Sequence, residues 1–203
     1  NDAMHSVGGI TLHDVINNRF AKKAVEKGAD GLIAVAAGAG GHAGRLSPFP
    51  LISEIRNWFD GPLALSGAIA SGDAILAAEA MGADFGYIGS AFIATHEARA
   101  DDRYKQMIVD SAADDIIYSS LFTGVHGNYL APSIKAAGMD PNNLPEGDIS
   151  TMDFDNWDKK PKAWKEIWGC GQGIGAVKSV LSVDDLVSRL QAEYLKAKLR
   201  ISG

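Results

Sequence analysis

Glycine-bounded apolar runs alternate with helical patterns through the first half of the chain, and this alternation leaves few folds open. Gly9–Ile16 (GITLHDVI), Gly31–Ala37, Pro62–Ile69 (PLALSGAI) and Phe85–Ile93 (FGYIGSAFI) read as strands. Between them, Arg19–Lys27, Pro48–Phe59 and the stretch from Ser71 to Met81 carry apolar residues at helical spacing, with Gly28 and Gly82 as stops. The order βαβαβαβ requires a parallel sheet with helices outside, because parallel neighbours are joined only by a crossover. An internal echo supports the repeat. Gly28-Ala29-Asp30 and Gly82-Ala83-Asp84 occupy the same helix-to-strand turn, 82 − 28 = 54 residues apart, which is two βα units.

The chemistry lies where these strands end. Gly31–Ala37 runs into Gly38-Ala39-Gly40-Gly41-His42-Ala43-Gly44, a glycine loop with one imidazole. Glycines let backbone approach a flat or anionic ligand closely. A histidine at the carboxyl end of a buried strand stands where α/β proteins keep their active sites, and it exchanges protons near neutral pH. Ser66-Gly67-Ala68 and Gly89-Ser90 follow the next two strands. Small residues there expose backbone N–H groups and hydroxyls, a setting for phosphate. The bland alternative is that these glycines only make tight turns.

Beyond Thr95 the pattern changes. Arg103–Asp115 reads as a helix, Ile116–Tyr118 as a short β-prone stretch and Leu121–Leu130 as a glycine-rich loop. Ser133–Pro161, rich in Pro, Asn and Asp, reads as a long irregular excursion. Ser182 opens a last helix whose apolar face holds Val183, Leu186, Val187, Leu190 and Tyr194. We divide the chain at 1–100, 101–175 and 176–203: half of a barrel, a mostly helical or irregular substrate-side region, and a C-terminal helix packing back on the barrel.

Composition excludes several classes. The net charge is −6 and no basic run appears, against a nucleic-acid surface. No apolar run reaches the roughly 18 residues of a membrane helix, and we expect no secretory signal before the first strand. Cys170 is the single cysteine, so no intramolecular disulfide forms, which fits a cytoplasmic protein. His13, His42, His96 and His126 share no metal-ligand spacing, so no metal site is expected. Ser66-Gly67 lacks the Gly-x-Ser-x-Gly elbow of a nucleophile, and the Gly40-Gly41 loop lacks the Gly-x-Gly-x-x-Gly dinucleotide fingerprint.

Taken together, Ala39-Gly40-Gly41-His42-Ala43-Gly44, Leu65-Ser66-Gly67-Ala68-Ile69-Ala70-Ser71-Gly72, Gly82-Ala83-Asp84 and Gly89-Ser90-Ala91-Phe92-Ile93-Ala94-Thr95 resemble the nitronate monooxygenase family, formerly the 2-nitropropane dioxygenases. The resemblance covers roughly residues 9 to 97, and Gly171-Gln172-Gly173 adds to it. It implies an α/β fold, a flavin-binding TIM (β/α)8 barrel present here mainly as its second half, with a smaller C-terminal helical region. Four strands cannot close a barrel, and Asn1 stands where an initiator Met would. We therefore expect the barrel's first half to lie upstream.

The resemblance also implies roles. His42 would be the catalytic base, with Gly40 and Gly41 against the flavin ring. Ser66, Gly67 and Ala68 would form one phosphate loop of FMN, and Gly89 and Ser90 the other. Three positions depart from the family pattern. Ala68 stands where many relatives have Gly, Asp14 follows His13 where some have Lys, and Val35 replaces an acidic residue. The implied activity is FMN-dependent oxidation of nitronates or nitroalkanes by oxygen, in a protein that could be a homo-oligomer. Alternatives are FMN-dependent reduction of a quinone or enoyl thioester by NAD(P)H, a non-catalytic flavin or phosphate module, and a phosphosugar isomerase. His13 either faces the barrel interior or is a buried, bonded side chain, and His126 either lines a substrate entrance or sits on the surface. His96 reads as solvated, and His5 has no context. Tyr118, Phe122 and Tyr129 are candidates for a substrate cover. Phe154, Trp157, Trp164 and Trp168 form an aromatic cluster that would anchor the irregular segment.

Overall fold

A computed structural model describes residues 1–147 and 165–203. It divides into two compact units: 1–37, 44–88 and 188–203 form the first, and 38–43 and 89–187 the second.

The first unit is a parallel sheet with helices on one face. Its strands β1 (Leu12–Val15), β2 (Gly31–Val35), β4 (Leu63–Ser66) and β5 (Phe85–Tyr87) lie in the order β1-β2-β4-β5, all parallel. The crossovers are α2 (Asn18–Glu26), α3 (Pro48–Arg56) and α4 (Gly72–Met81), and a short α1 (Asp2–His5) precedes them. Side chains alternate across the sheet. Val15, Leu32, Ala34, Leu63 and Leu65 point toward the helices and pack with Leu51, Ile52 and Ile55 of α3. Burying each of the large aliphatics contributes about 1.5–3 kcal/mol. The opposite face carries Asp14, Phe85 and Tyr87, all exposed, the last two at 59% and 54%. Parallel sheets are ordinarily covered on both faces, and in a closed barrel this face is the interior. The architecture is the second half of a TIM barrel.

The Gly-Ala-Asp echo has a physical cause. At the first turn the Asp30 carboxylate accepts the Thr11 N–H at 2.7 Å, and at the second the Asp84 carboxylate accepts the Leu63 N–H at 2.8 Å. Each aspartate thus ties the start of one strand to the turn that opens its neighbour. Arg56 adds a 2.7 Å ion pair to Asp84. Burial alone would push the Asp84 carboxyl up, but the Leu63 amide and the Arg56 guanidinium outweigh it and hold the group below the usual range.

Helix boundaries follow their caps. Ser71 caps α4 through the Ala74 N–H, and Gly82, at φ 106°, ends it in the left-handed conformation. The last helix, α8 (Val183–Ser202), begins in the second unit and continues into the first. In the first unit it packs at Gly72, whose N–H is accepted by the Glu193 carboxylate at 2.9 Å.

The second unit holds an antiparallel sheet of β3 (Gly41–His42), β7 (Gly127–Leu130) and β6 (Ile116–Ser119), in that order. Its helices are α5 (Ser90–Ile93), α6 (Asp102–Asp110) and α7 (Ala131–Ala136). Its core includes Tyr129, Ile134 and Ile167, with Phe122, Met139 and Leu144 against them.

Several expectations change here. The strand expected over 85–93 stops at Tyr87, and Ser90–Ile93 is helical. The helix expected to Asp115 ends at Asp110, followed by a single 3-10 turn over Ala113–Asp115. The expected loop 121–130 contains β7, and the expected irregular stretch from Ser133 falls partly within α7. Val187 is 48% exposed and does not belong to the buried face of α8.

Candidate active site

β2 ends at Val35, and the chain turns through glycines before β3 begins at Gly41. His42 therefore stands on a short antiparallel strand rather than on the loop expected from the sequence. Gly41 pairs with Asn128 and His42 with Gly127. A Cβ at Gly127 would lie 2.9 Å from the Gly41 carbonyl, so only glycine permits this approach. The Asn128 amide donates to the Ala39 carbonyl at 2.7 Å, and the Tyr118 hydroxyl donates to the Ala43 carbonyl at 3.0 Å. Both fix the backbone on either side of His42. The His42 ring is exposed, and its Nε2 lies 2.8 Å from Thr123 Oγ1.

Gly40 is exposed, and its backbone abuts the 170–171 turn: a Cβ there would come within 2.8 Å of the Gly171 nitrogen. The Gly171 N–H donates to Ser90 Oγ at 2.9 Å, which leaves the Ser90 hydrogen for another acceptor. Burial pushes the neighbouring Cys170 thiol up to about 11, with Ser90 and the Gly171 amide pulling the other way. Cys170 is a neutral core group at physiological pH, not a nucleophile. Gly89 is exposed, and a Cβ there would meet nothing within 4 Å. The second unit thus brings together Gly40, Gly41, His42, Gly89 and Ser90.

Ser66, Gly67 and Ala68 belong to the first unit. The Ser66 carbonyl still accepts from the Ala36 N–H at 2.8 Å, so the sheet continues to this point. Gly67 then takes φ 150° and Ala68 φ 56°, the only positive φ of a non-glycine among the described residues. The left-handed conformation at Ala68 explains why glycine suits this position in a strand-to-helix turn.

The other sequence candidates have ordinary partners. His13 Nε2 lies 3.2 Å from Asn1 Oδ1, and His5 pairs with Asp30 at 2.8 Å. His96 is exposed, and His126 stacks on Tyr118 with ring centroids 4.9 Å apart. Tyr129 is fully buried and meets Phe122 edge to face, so it belongs to the core rather than to a substrate cover. Trp168 stacks on Tyr104 at 4.9 Å; Phe154, Trp157 and Trp164 lie outside the described residues. A cavity of about 310 Å3 lined by Arg103, Met107, Lys165 and Trp168, among others, contains none of the predicted site residues. Among the described residues, no three His, Cys, Asp or Glu side chains gather as metal ligands, and no helix is long and apolar enough to cross a membrane. Sequence reasoning missed Thr123 and Asn128. Only their place in the Thr-Gly-Val-His-Gly-Asn-Tyr loop, rich in polar and small residues, hinted at them.

A parallel sheet of successive βα units with glycine-rich turns after its strands puts the first unit in the α/β-barrel class. Comparison with known proteins narrows this further. The nitronate monooxygenase family model matches residues 2–193, and the chain belongs to that family of oxidoreductases. It is 27% identical over 197 residues to a nitronate monooxygenase of Paraburkholderia phytofirmans, covering 90% of this chain and 54% of that protein. It is also 27% identical over 190 residues to a probable nitronate monooxygenase of Bacillus subtilis, covering 84% of this chain and 53% of that one. The chain therefore spans about half the length of these relatives. Among solved structures, nitroalkane oxidase from Streptomyces ansochromogenes superposes with a TM-score of 0.78 at 26% identity, over 97% of this chain and 60% of that one. FabK from Thermotoga maritima shares the fold, with a TM-score of 0.77 at 19% identity, over 99% of this chain and 66% of that one.

Proposed function

We propose that the protein carrying this chain oxidises alkyl nitronates and nitroalkanes with molecular oxygen, using FMN and His42 as the base. The observation that carries the reading is the exposed imidazole of His42, held from both sides beside the exposed glycine turn at Gly40. The turns suit a flavin. Gly89 opens onto free space, Gly40 and Gly41 present backbone without side chains, and Ala68 is exposed on a left-handed turn. Each unit carries a turn of the kind that receives a phosphate: the Gly67 and Ala68 N–H groups with the Ser66 hydroxyl in the first, and Gly89 with Ser90 in the second. The redox chemistry, in which electrons leave the nitronate for oxygen, is the flavin's.

This chain's own task is proton transfer and orientation. A nitroalkane has an acidic α-hydrogen, and a neutral imidazole takes it to give the nitronate and an imidazolium. A preformed nitronate needs no such step. Replacing His42 by Ala therefore lowers turnover of nitroethane by about 10²–10⁴-fold, the usual worth of a general base, and leaves ethyl nitronate nearly untouched. Intact nitroethane turnover in His42→Ala sinks the assignment. Anaerobic bleaching of the flavin by NADH or NADPH, but not by nitronate, points instead to a reductase.

A further inference from the structure

We infer that the consecutive N–H groups of Ala39 and Gly40 form a donor pair for the nitro or nitronate oxygen of the substrate, and that Asn128 is the positioning residue that turns them outward. The inference rests on the reading of the protein as a nitronate-oxidising enzyme and names the groups that receive the substrate's charge.

The turn is tied down through its carbonyls, all within the second unit. Asn128 is 2% exposed, and its side-chain amide donates to the Ala39 carbonyl at 2.7 Å. The Gln172 N–H donates to the Gly38 carbonyl at 2.9 Å. The Cys170 N–H donates in turn to the Asn128 carbonyl at 3.1 Å, so Asn128 and the 170–172 segment form one surface against the turn. Both carbonyls face that surface. No peptide bond among the described residues is cis, and a trans peptide points its N–H opposite to its C=O. The Ala39 N–H shares a peptide with the Gly38 carbonyl, and the Gly40 N–H with the Ala39 carbonyl. Both N–H groups therefore face away from Asn128 and Gln172. Neither finds an acceptor among the described residues. Ala39 is 4% exposed, and a backbone N–H at such a position is ordinarily paired. Gly40, next to it, is exposed, so an acceptor carried by a ligand has access to the pair.

The imidazole lies on the same side. Gly41 faces Asn128 across the β3–β7 ladder, and His42 faces Gly127. Opposite residues share a face of a sheet and successive residues alternate, so the His42 side chain leaves the ladder on the face away from Asn128. Base and donor pair are thus both turned from Asn128 on one short segment. Deprotonation gives the pair its task. As His42 takes the α-proton, the C–H electron pair forms the C=N bond and an N=O π pair moves onto oxygen, so the charge appears on the nitro oxygens. Successive backbone N–H groups make a concavity suited to such charge, and donors fixed in advance need no reorganisation as it develops. A preformed nitronate carries the same charge on arrival and meets the same donors.

Amide NMR of the full, flavin-loaded protein tests this without turnover. The probe is sodium nitrate, which has the planar O–N–O unit and the charge of a nitronate but no hydrogen to lose. Sodium chloride at equal ionic strength is the control. The Ala39 and Gly40 amide protons should move downfield and saturate with nitrate and not with chloride. Asn128→Asp, whose carboxylate cannot donate to the Ala39 carbonyl, should weaken nitrate binding about tenfold or more and lose at least as much in kcat/KM on ethyl nitronate as well as on nitroethane. His42→Ala, by contrast, spares the nitronate. No movement of the two amides, whether nitrate binds elsewhere or not at all, overturns the inference, and this titration of the wild type stands whether or not the variant folds. Unchanged nitrate affinity and nitronate kinetics in Asn128→Asp overturn it as well. Amide shifts in a protein whose flavin ethyl nitronate does not bleach would keep the donor pair and remove the nitronate reading; bleaching without the shifts overturns the inference alone.

Discussion

Replacing Ala68 by glycine should stabilise the protein. Glycine ordinarily destabilises by about 0.5–1 kcal/mol, because the unfolded chain gains freedom that folding must remove. Ala68 reverses the balance. Its φ of 56° lies in the left-handed region, where an L-residue with a Cβ is strained by roughly 1–2 kcal/mol. The residue is exposed, so removing the methyl group sacrifices no buried area. The relief exceeds the entropy loss by about 0.75 kcal/mol, with a range of about 0 to 1.5. For a chain of this length about 0.75 kcal/mol is a rise in Tm of about 1.5–3 °C, readable by calorimetry or a circular dichroism melt. Ala70→Gly is the matched control. Ala70 sits two residues on, 3% exposed and without a positive φ. There the methyl is buried and the backbone unstrained, so glycine should cost about 1–2 kcal/mol and lower Tm. If both variants lower Tm by the same amount, the turn at Ala68 is not strained and the reasoning fails.

Three further expectations follow from single contacts. Gly72→Ala would put a Cβ 2.1 Å from the Tyr194 nitrogen and 2.5 Å from the Leu190 carbonyl oxygen, both backbone; the helix α8 cannot give way locally, and a loss of at least about 3 kcal/mol in urea unfolding is expected. The Asp84 carboxyl is lowered in the folded protein, so its stabilisation is present above the unfolded carboxylate range near pH 4 and is lost as pH falls through the lower folded value. Unfolding free energy measured from about pH 6 to 2 should therefore fall less steeply in Asp84→Asn than in the wild type. Gly40→Ala would press a Cβ to 2.8 Å from the Gly171 nitrogen, so we expect a weaker flavin complex in equilibrium dialysis together with a lower Tm.

Much of this architecture is legible in the sequence because its first unit is built from long repeating signals. Leu32, Ala34, Leu63 and Leu65 alternate as a half-buried strand should, and Leu51, Ile52 and Ile55 mark one side of α3. Ser71 and Gly82 bracket α4 with capping chemistry that has few other uses. The second unit is less readable for physical reasons. β3 is Gly41 and His42 alone, too short for any period, and it pairs with residues 127 and 128, far away in the chain. Only that pairing, and the glycine that permits it, turns the imidazole toward Thr123. Ser90–Ile93 is a short apolar run that serves equally as strand or helix. Pro132 opens α7 at a first-turn position where proline is welcome, yet in a Pro-rich neighbourhood it reads as a breaker. Of the site, the glycines and His42 were visible as residue types; the pairing of Gly41 and His42 with Asn128 and Gly127 was not, since a contact between segments far apart in the chain leaves no local pattern.

The visible spectrum of the purified protein, recorded anaerobically before and after addition of ethyl nitronate, bears most directly on the flavin reading. We expect the bands of an oxidised flavin and their bleaching by nitronate alone, with colour returning on admission of air. A colourless protein, or a flavin that bleaches only with NADH or NADPH, would contradict it.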